Sequence, residues 1–152
     1  MEDVDRTIRR IRTSIFELRG NLGSSADGLT KQVLQVARDV TPALGFAPHV
    51  IFGGLVEIRL DDLFTEDVVA CVRETLTNVA KHAKASEATV DIVLAGDELT
   101  VTVTDDGVGV TEPARSSGIA NLRDRAERRG GSFELGSGPS QGSIARWKAF
   151  IR

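Results

Sequence analysis

The sequence predicts an α/β two-layer sandwich, a mixed sheet of about five strands with three helices on one face, preceded by a partial dimerisation helix. Three observations point to the sandwich. Ala88 to Leu94 and Leu99 to Thr104 alternate apolar and polar residues with the period of two that a half-buried strand requires. Val68, Val72, Leu76, Val79 and Ala83 recur at helical spacing and form one apolar stripe able to pack on a sheet. A length of 152 residues with 41% hydrophobic content suffices for one good core.

In chain order, residues 1–19 come first. There Val4, Ile8, Ile11, Ile15 and Leu18 step by four and three, the seam of a coiled coil or bundle, expected here as the C-terminal part of a dimerisation helix. Residues 20–28 are rich in Gly, Ser, Asn and Asp and read as a linker. Residues 29–152 make the main domain. Leu29, Val33, Val36 and Val40 mark an amphipathic helix expected to stop before Pro42. A strand pair is expected around His49 to Leu60, broken by Gly53-Gly54. The next helix takes Thr65 as its N-cap, with Glu66 and Asp67 in the positive first turn. The hairpin turns at Gly96-Asp97. Ile119, Leu122 and Ala126 give a third helix closed by Gly130. Ser143 to Ile151 is the last strand, where Trp147 serves packing.

Charge and composition narrow the function. The net charge is −3, with no basic run dense enough for nucleic acid and no apolar run long enough to span a bilayer. There is no secretory signal, and the single cysteine, Cys71, excludes an internal disulfide. Both fit a cytoplasmic location.

The chemistry concentrates in two segments. On the helix, Glu74, Asn78, Lys81 and His82 form a polar stripe well over a quarter-turn from the apolar one. The strand that follows ends in Asp105-Asp106-Gly107-Val108-Gly109. One wall of a cleft would then carry a carboxylate, a carboxamide and two basic groups, and the other a carboxylate and two glycines. A hard cation such as Mg²⁺ prefers oxygen ligands and keeps several waters, so one amide oxygen with phosphate oxygens suffices. A carboxylate at a strand end can accept from an exocyclic amine, and glycines let backbone approach a ring. The set suits a magnesium-bound nucleoside triphosphate.

These segments resemble the N-box and the D-x-G-x-G box of the ATP-binding domain shared by histidine kinases, gyrase, Hsp90 and MutL, the Bergerat-type fold. Arg73 to Ala83 matches the nitrate-sensor-like subfamily's R-E-x-L-x-N-x-x-K-H-A. Gly118-Ile119-Ala120-Asn121-Leu122-Arg123-Asp124-Arg125-Ala126 matches its G-[IL]-x-N-[LM]-R-x-R-A, and Gly130-Gly131 and Gly142-Ser143 complete the series. Ile11 to Leu18 looks like the mycobacterial dormancy sensors of the DosS/DosT type. The resemblance implies the catalytic and ATP-binding domain of a sensor histidine kinase, with ATP and Mg²⁺ as cofactors. It implies that Asn78 ligates the metal, Glu74 orients or activates transfer, and Lys81 neutralises phosphate charge. It further implies that Asp105 binds the adenine amine, that Gly107 and Gly109 shape the base pocket, and that Gly118, Gly142 and Ser143 lie near the phosphates. His82 matches the family position and is equally well read as a helix-face histidine.

The implied partners are the protein's own dimerisation and phosphotransfer domain, as a homodimer, and a cognate response regulator. Two departures stand out. Only Val110 to Ser117 separate the two glycine boxes, a short lid, and the second box reads Ser116-Ser117-Gly118 where G-x-G is usual. Fewer backbone N–H groups then reach the triphosphate with glycine-like freedom, so weak nucleotide affinity is expected. The family's acceptor, an H-D or H-E motif, is matched by neither His49 nor His82, which reads as a fragment not expected to phosphorylate itself. Two alternatives share the boxes: an anti-sigma-factor-type serine kinase, and a non-catalytic docking or dimerisation module.

Overall fold

The computed structural model describes residues 10–13, 27–53, 62–108, 117–138 and 142–151. Its elements in order are strand β1 (Arg10–Thr13), helix α1 (Asp27–Leu44), strand β2 (His49–Gly53), helix α2 (Asp62–Asn78), a π-helical turn (Val79–Ala83), strands β3 (Ala88–Ala95) and β4 (Glu98–Asp105), helix α3 (Ser117–Glu127), and strands β5 (Ser132–Ser137) and β6 (Ser143–Phe150). The sheet runs β1-β2-β3-β4-β6-β5. It is mixed: β2 and β3 are parallel, joined across α2, and every other neighbouring pair is antiparallel. The helices cover one face, as the two-layer reading requires.

The core lies between these layers. Val50, Phe52, Val90, Ile92, Leu99, Val101, Val103 and Trp147 face Val33, Leu34, Val68, Val72, Leu76 and Leu122, all buried. The hairpin has the expected register, Ala95 opposite Glu98, with a two-residue turn whose first residue, Gly96, has φ 63°. That is the arrangement of a type II′ turn, whose twist matches that of the strands. Trp147 packs edge-on against Phe64 at 6.4 Å between centroids, and its indole N–H donates to Leu122 O at 3.0 Å. It is a core residue that ties β6 to α3. Burial pushes the Cys71 thiol far up from its ordinary value, so it too is packing rather than a nucleophile.

Four expectations are corrected. Residues 10–13, placed in the dimerisation helix, pair antiparallel with β2, Ile11 opposite Phe52. β-branched Ile11 and Thr13 in a short run suit an edge strand, and the free edge of β2 supplies hydrogen bonds that the seam pattern could not foretell. The remaining residues of that helix, the linker through residue 26 and the second half of the 49–60 strand pair lie outside the described residues. Helix α1 does not stop before Pro42 but contains it. In the last turn a proline forfeits a single backbone bond, and Gly45 N–H closes the helix on Thr41 O at 2.8 Å. Helix α2 begins at Asp62, so Thr65 is a buried first-turn residue rather than the N-cap. Its α-helical path ends at Asn78, with Lys84 left-handed at φ 53° after the π turn.

Candidate functional site

The predicted site residues sort into two groups with a clear division of place. The first lies where α2 meets the start of α3. Glu74 and Asn78, four residues apart, share one face of α2 and are both half-buried. Gly118, the second residue of α3, lies so close to Glu74 that a Cβ there would fall 2.0 Å from Glu74 Oε2. The Glu74 carboxylate therefore sits against the first turn of α3, where the helix dipole favours negative charge. Asn78 makes no capping hydrogen bond with its side chain.

The π turn changes the rest of that stripe. An i→i+5 turn holds more residues than an α-turn, so Lys81 lags behind the direction that puts it beside Asn78. Lys81 is exposed. The side chain of His82, and Gly109 with the lid through residue 116, are outside the described residues.

The second group surrounds Asp105, the last residue of β4, only 4% exposed. Its Oδ1 accepts from Gly107 N–H at 2.8 Å and its Oδ2 from Ser143 Oγ at 2.5 Å. Gly142, at φ 85°, comes so near that a Cβ would fall 1.9 Å from Asp105 O. The described contacts of Gly142 and Ser143 are thus with the Asp105 end. The cause is register: β6 runs antiparallel to β4 with Ser143 opposite Asp105.

Asp106 has a role that the motif alone did not reveal. Its carboxylate accepts from Ser86 Oγ (2.6 Å), Ser86 N–H (2.8 Å) and Glu87 N–H (2.9 Å). These bonds fasten the D-x-G-x-G loop to the segment leaving the π turn. They also lower its pKa, the Ser86 hydroxyl most of all, by favouring the anion. The available signal was an acidic residue beside a glycine facing a Ser-Glu pair across a strand start, a common turn pattern.

One side of the site is therefore acidic and amide-bearing, and the other carries a buried carboxylate whose backbone packs closely on Gly142. Hard oxygen donors and one uncapped amide fit a magnesium-bound triphosphate. Among the described residues no three His, Cys, Asp or Glu side chains group as a metal cage. Nor is any described helix long and apolar enough to cross a membrane.

A fold with these two boxes at these places defines a class of ATP-binding domain, and comparison with known proteins makes it definite. The family of histidine kinase-, DNA gyrase B- and HSP90-like ATPases matches residues 65–149, more than half of the chain, and the chain belongs to that family. It is 31% identical over 148 residues to an uncharacterized sensor-like histidine kinase of Chloroflexus aurantiacus, covering 91% of this chain and 25% of that protein. It is 39% identical over 92 residues to the nitrate/nitrite sensor protein NarQ of Escherichia coli, covering 58% of this chain and 16% of that one. The ATP binding domain of PrrB from Mycobacterium tuberculosis shares the fold at a TM-score of 0.58 and 19% identity, covering 95% of this chain and 98% of that one. The chain thus spans a quarter or less of these two curated relatives. Its homologues are sensor kinases, not anti-sigma serine kinases, and the domain is the catalytic, ATP-binding one of that class.

Proposed function

We propose that this chain binds Mg-ATP between α2 and the end of β4 and directs the γ-phosphoryl group to a histidine on a dimerisation domain, for relay to a response regulator. The observation that carries the reading is the buried Asp105 carboxylate, anchored from two sides by Gly107 and Ser143. Each carboxylate oxygen has two acceptor sites, so both anchors leave capacity for an exocyclic amine. Gly142, lacking a side chain, lets the start of β6 pack directly on the Asp105 backbone and hold that carboxylate in place.

At the other end, Asn78 would hold Mg²⁺ through its amide oxygen, and the bound ion would neutralise developing phosphate charge. Lys81, exposed and flexible, adds a mobile positive charge for the triphosphate. Glu74 at the first turn of α3 is placed to orient the attacking histidine or accept its proton. Phosphoryl transfer needs mainly positioning and charge neutralisation, and these groups supply both. Transfer to a dimerisation domain implies a cytoplasmic homodimer. The DosS/DosT-type subtype rests on the run from Ile11 to Leu18, and of that run residues 11–13 belong to a strand.

Calorimetric titration with Mg-ATP and Mg-GTP tests the reading. Binding of ATP with clear preference over GTP is expected. Absence of binding at millimolar ATP would leave the docking-module alternative in its place.

A further inference from the structure

Helix α3 brings Gly118 against Glu74, and a charged attachment lies at its opposite end. Asp67 is buried in the first turns of α2, its side chain 13% exposed. Arg125 Nη1 donates to its Oδ1, and Arg129 Nε donates to its Oδ2 at 2.8 Å. The Arg129 guanidinium also lies over the Phe64 ring, 4.4 Å from its centroid. One carboxylate thus takes two cations, one from the last turn of α3 and one from the turn that follows.

The sequence spacing gives this clamp its meaning. Asp67 and Glu74 are seven residues apart on α2, and Gly118 and Arg125 are seven apart on α3. Seven residues are close to two turns, so each pair shares a helix face. Asp67 meets Arg125 while Glu74 meets Gly118, so the two helices run antiparallel in matched register. Buried apolar residues of the two helices, Val68 and Val72 on α2 and Leu122 and Ala126 on α3, resist separation but give no directional axial position. A carboxylate between two guanidinium groups is directional. Sliding α3 by one residue would move Gly118 by about 1.5 Å along Glu74.

We infer that Asp67 is a positioning residue for nucleotide binding: with Arg125 and Arg129 it sets the register of α3 on α2, and so the place of the Gly118 end over Glu74 and Asn78. The inference rests on the Mg-ATP reading above. It concerns the triphosphate end alone, because Asp105 and Gly107 belong to β4 and its loop, which the clamp does not touch.

The test measures the dissociation constants of Mg-ATP and of adenosine by calorimetry for the parent chain, Asp67→Asn, Arg125→Lys and Arg128→Ala. Asp67→Asn should weaken ATP at least tenfold and adenosine less than twofold, lowering the advantage of ATP over adenosine. Arg125→Lys keeps the charge but loses the planar fork, and should lower that advantage about threefold. Arg128→Ala, whose partner Asp124 is on the surface, should change neither constant. A general loss of stability would weaken both ligands together, so a fall in both leaving the ratio intact overturns the inference. An unchanged ratio in folded Asp67→Asn overturns it too, and if Asp67→Asn does not fold, Arg125→Lys decides by the same ratio. A parent chain that binds adenosine but gains nothing from the triphosphate refutes the assignment of Gly118 to the phosphates, and the inference with it. A parent that binds neither ligand refutes the functional reading itself.

Discussion

Replacing Gly142 by alanine should break the site and the sheet together. Gly142 has φ 85°, and a left-handed backbone costs an ordinary residue about 1–2 kcal/mol. The added Cβ would also fall 1.9 Å from Asp105 O and 2.7 Å from its carbonyl carbon. Non-bonded heavy atoms are comfortable at about 3.5–4.0 Å, and a backbone carbonyl cannot rotate out of the way as a side chain can. The end of β6 must therefore move off β4, which parts Ser143 Oγ from the Asp105 carboxylate. A hydrogen bond to a charged group contributes about 1.5–3 kcal/mol. The two contributions give a loss of about 2.5–5 kcal/mol, a large part of the roughly 5–15 kcal/mol of a typical domain. For a chain of this size that is a fall in melting temperature of about 5–20 °C. Thermal unfolding followed by circular dichroism measures it, with Gly136→Ala as the control. Gly136 lies on β5 with nothing within 4 Å of its Cβ position, so its replacement should change stability by less than about 1 kcal/mol. If Gly142→Ala melts within about 2 °C of the parent, the close approach of β6 to Asp105 is not what holds this corner together.

Asp105→Asn should keep the fold, since an amide can still accept from Gly107 and pair with Ser143. It should weaken ATP about tenfold or more and erase the preference over GTP, as measured by calorimetric competition, because a charge-assisted bond to the amine is lost. Equal ATP affinity in the folded variant would remove Asp105 from the base pocket. Asn78→Ala should flatten the dependence of ATP binding on Mg²⁺ concentration. A magnesium titration superimposable on the parent's would show that another group holds the ion. Asp106 sets an acid dependence. Its folded pKa is below that of an unfolded carboxylate, about 3.9, so its contribution is full above that value and is lost as pH falls through the folded one. Urea midpoints between pH 5 and 2 should fall less steeply in Asp106→Asn than in the parent, and parallel curves would dissociate the Ser86 and Glu87 bonds from stability.

Residues whose roles are local were legible in the chain itself. Alternation at 88–94 and 99–104 marked the hairpin and its turn, because side-chain direction in a strand follows residue parity. Ile119, Leu122 and Ala126 with Gly130 marked α3 and its end, since a helix repeats its faces and its terminus needs a cap. Glu74, Asn78 and Asp105 were singled out because each motif lies within one element.

What depended on distant partners was not legible. Arg10–Thr13 became a strand because the edge of β2 was there to pair with, and a short run cannot declare its neighbour. The segment carrying Lys81 is a π turn rather than a continuation of α2, a hydrogen-bond choice that residue spacing does not encode. Ser143 meets Asp105 because register between β4 and β6, set across the whole sheet, decides what faces a strand end. Asp67 looked like an acidic first-turn residue, and only the folding of α3 onto α2 brought Arg125 and Arg129 to it. The sequence alone singled out which residues are proposed to carry the chemistry, since that choice depends on residue type and short spacing. Tertiary structure alone decided which of them meet, because those contacts join segments dozens of residues apart whose register is settled by the packing of the entire domain.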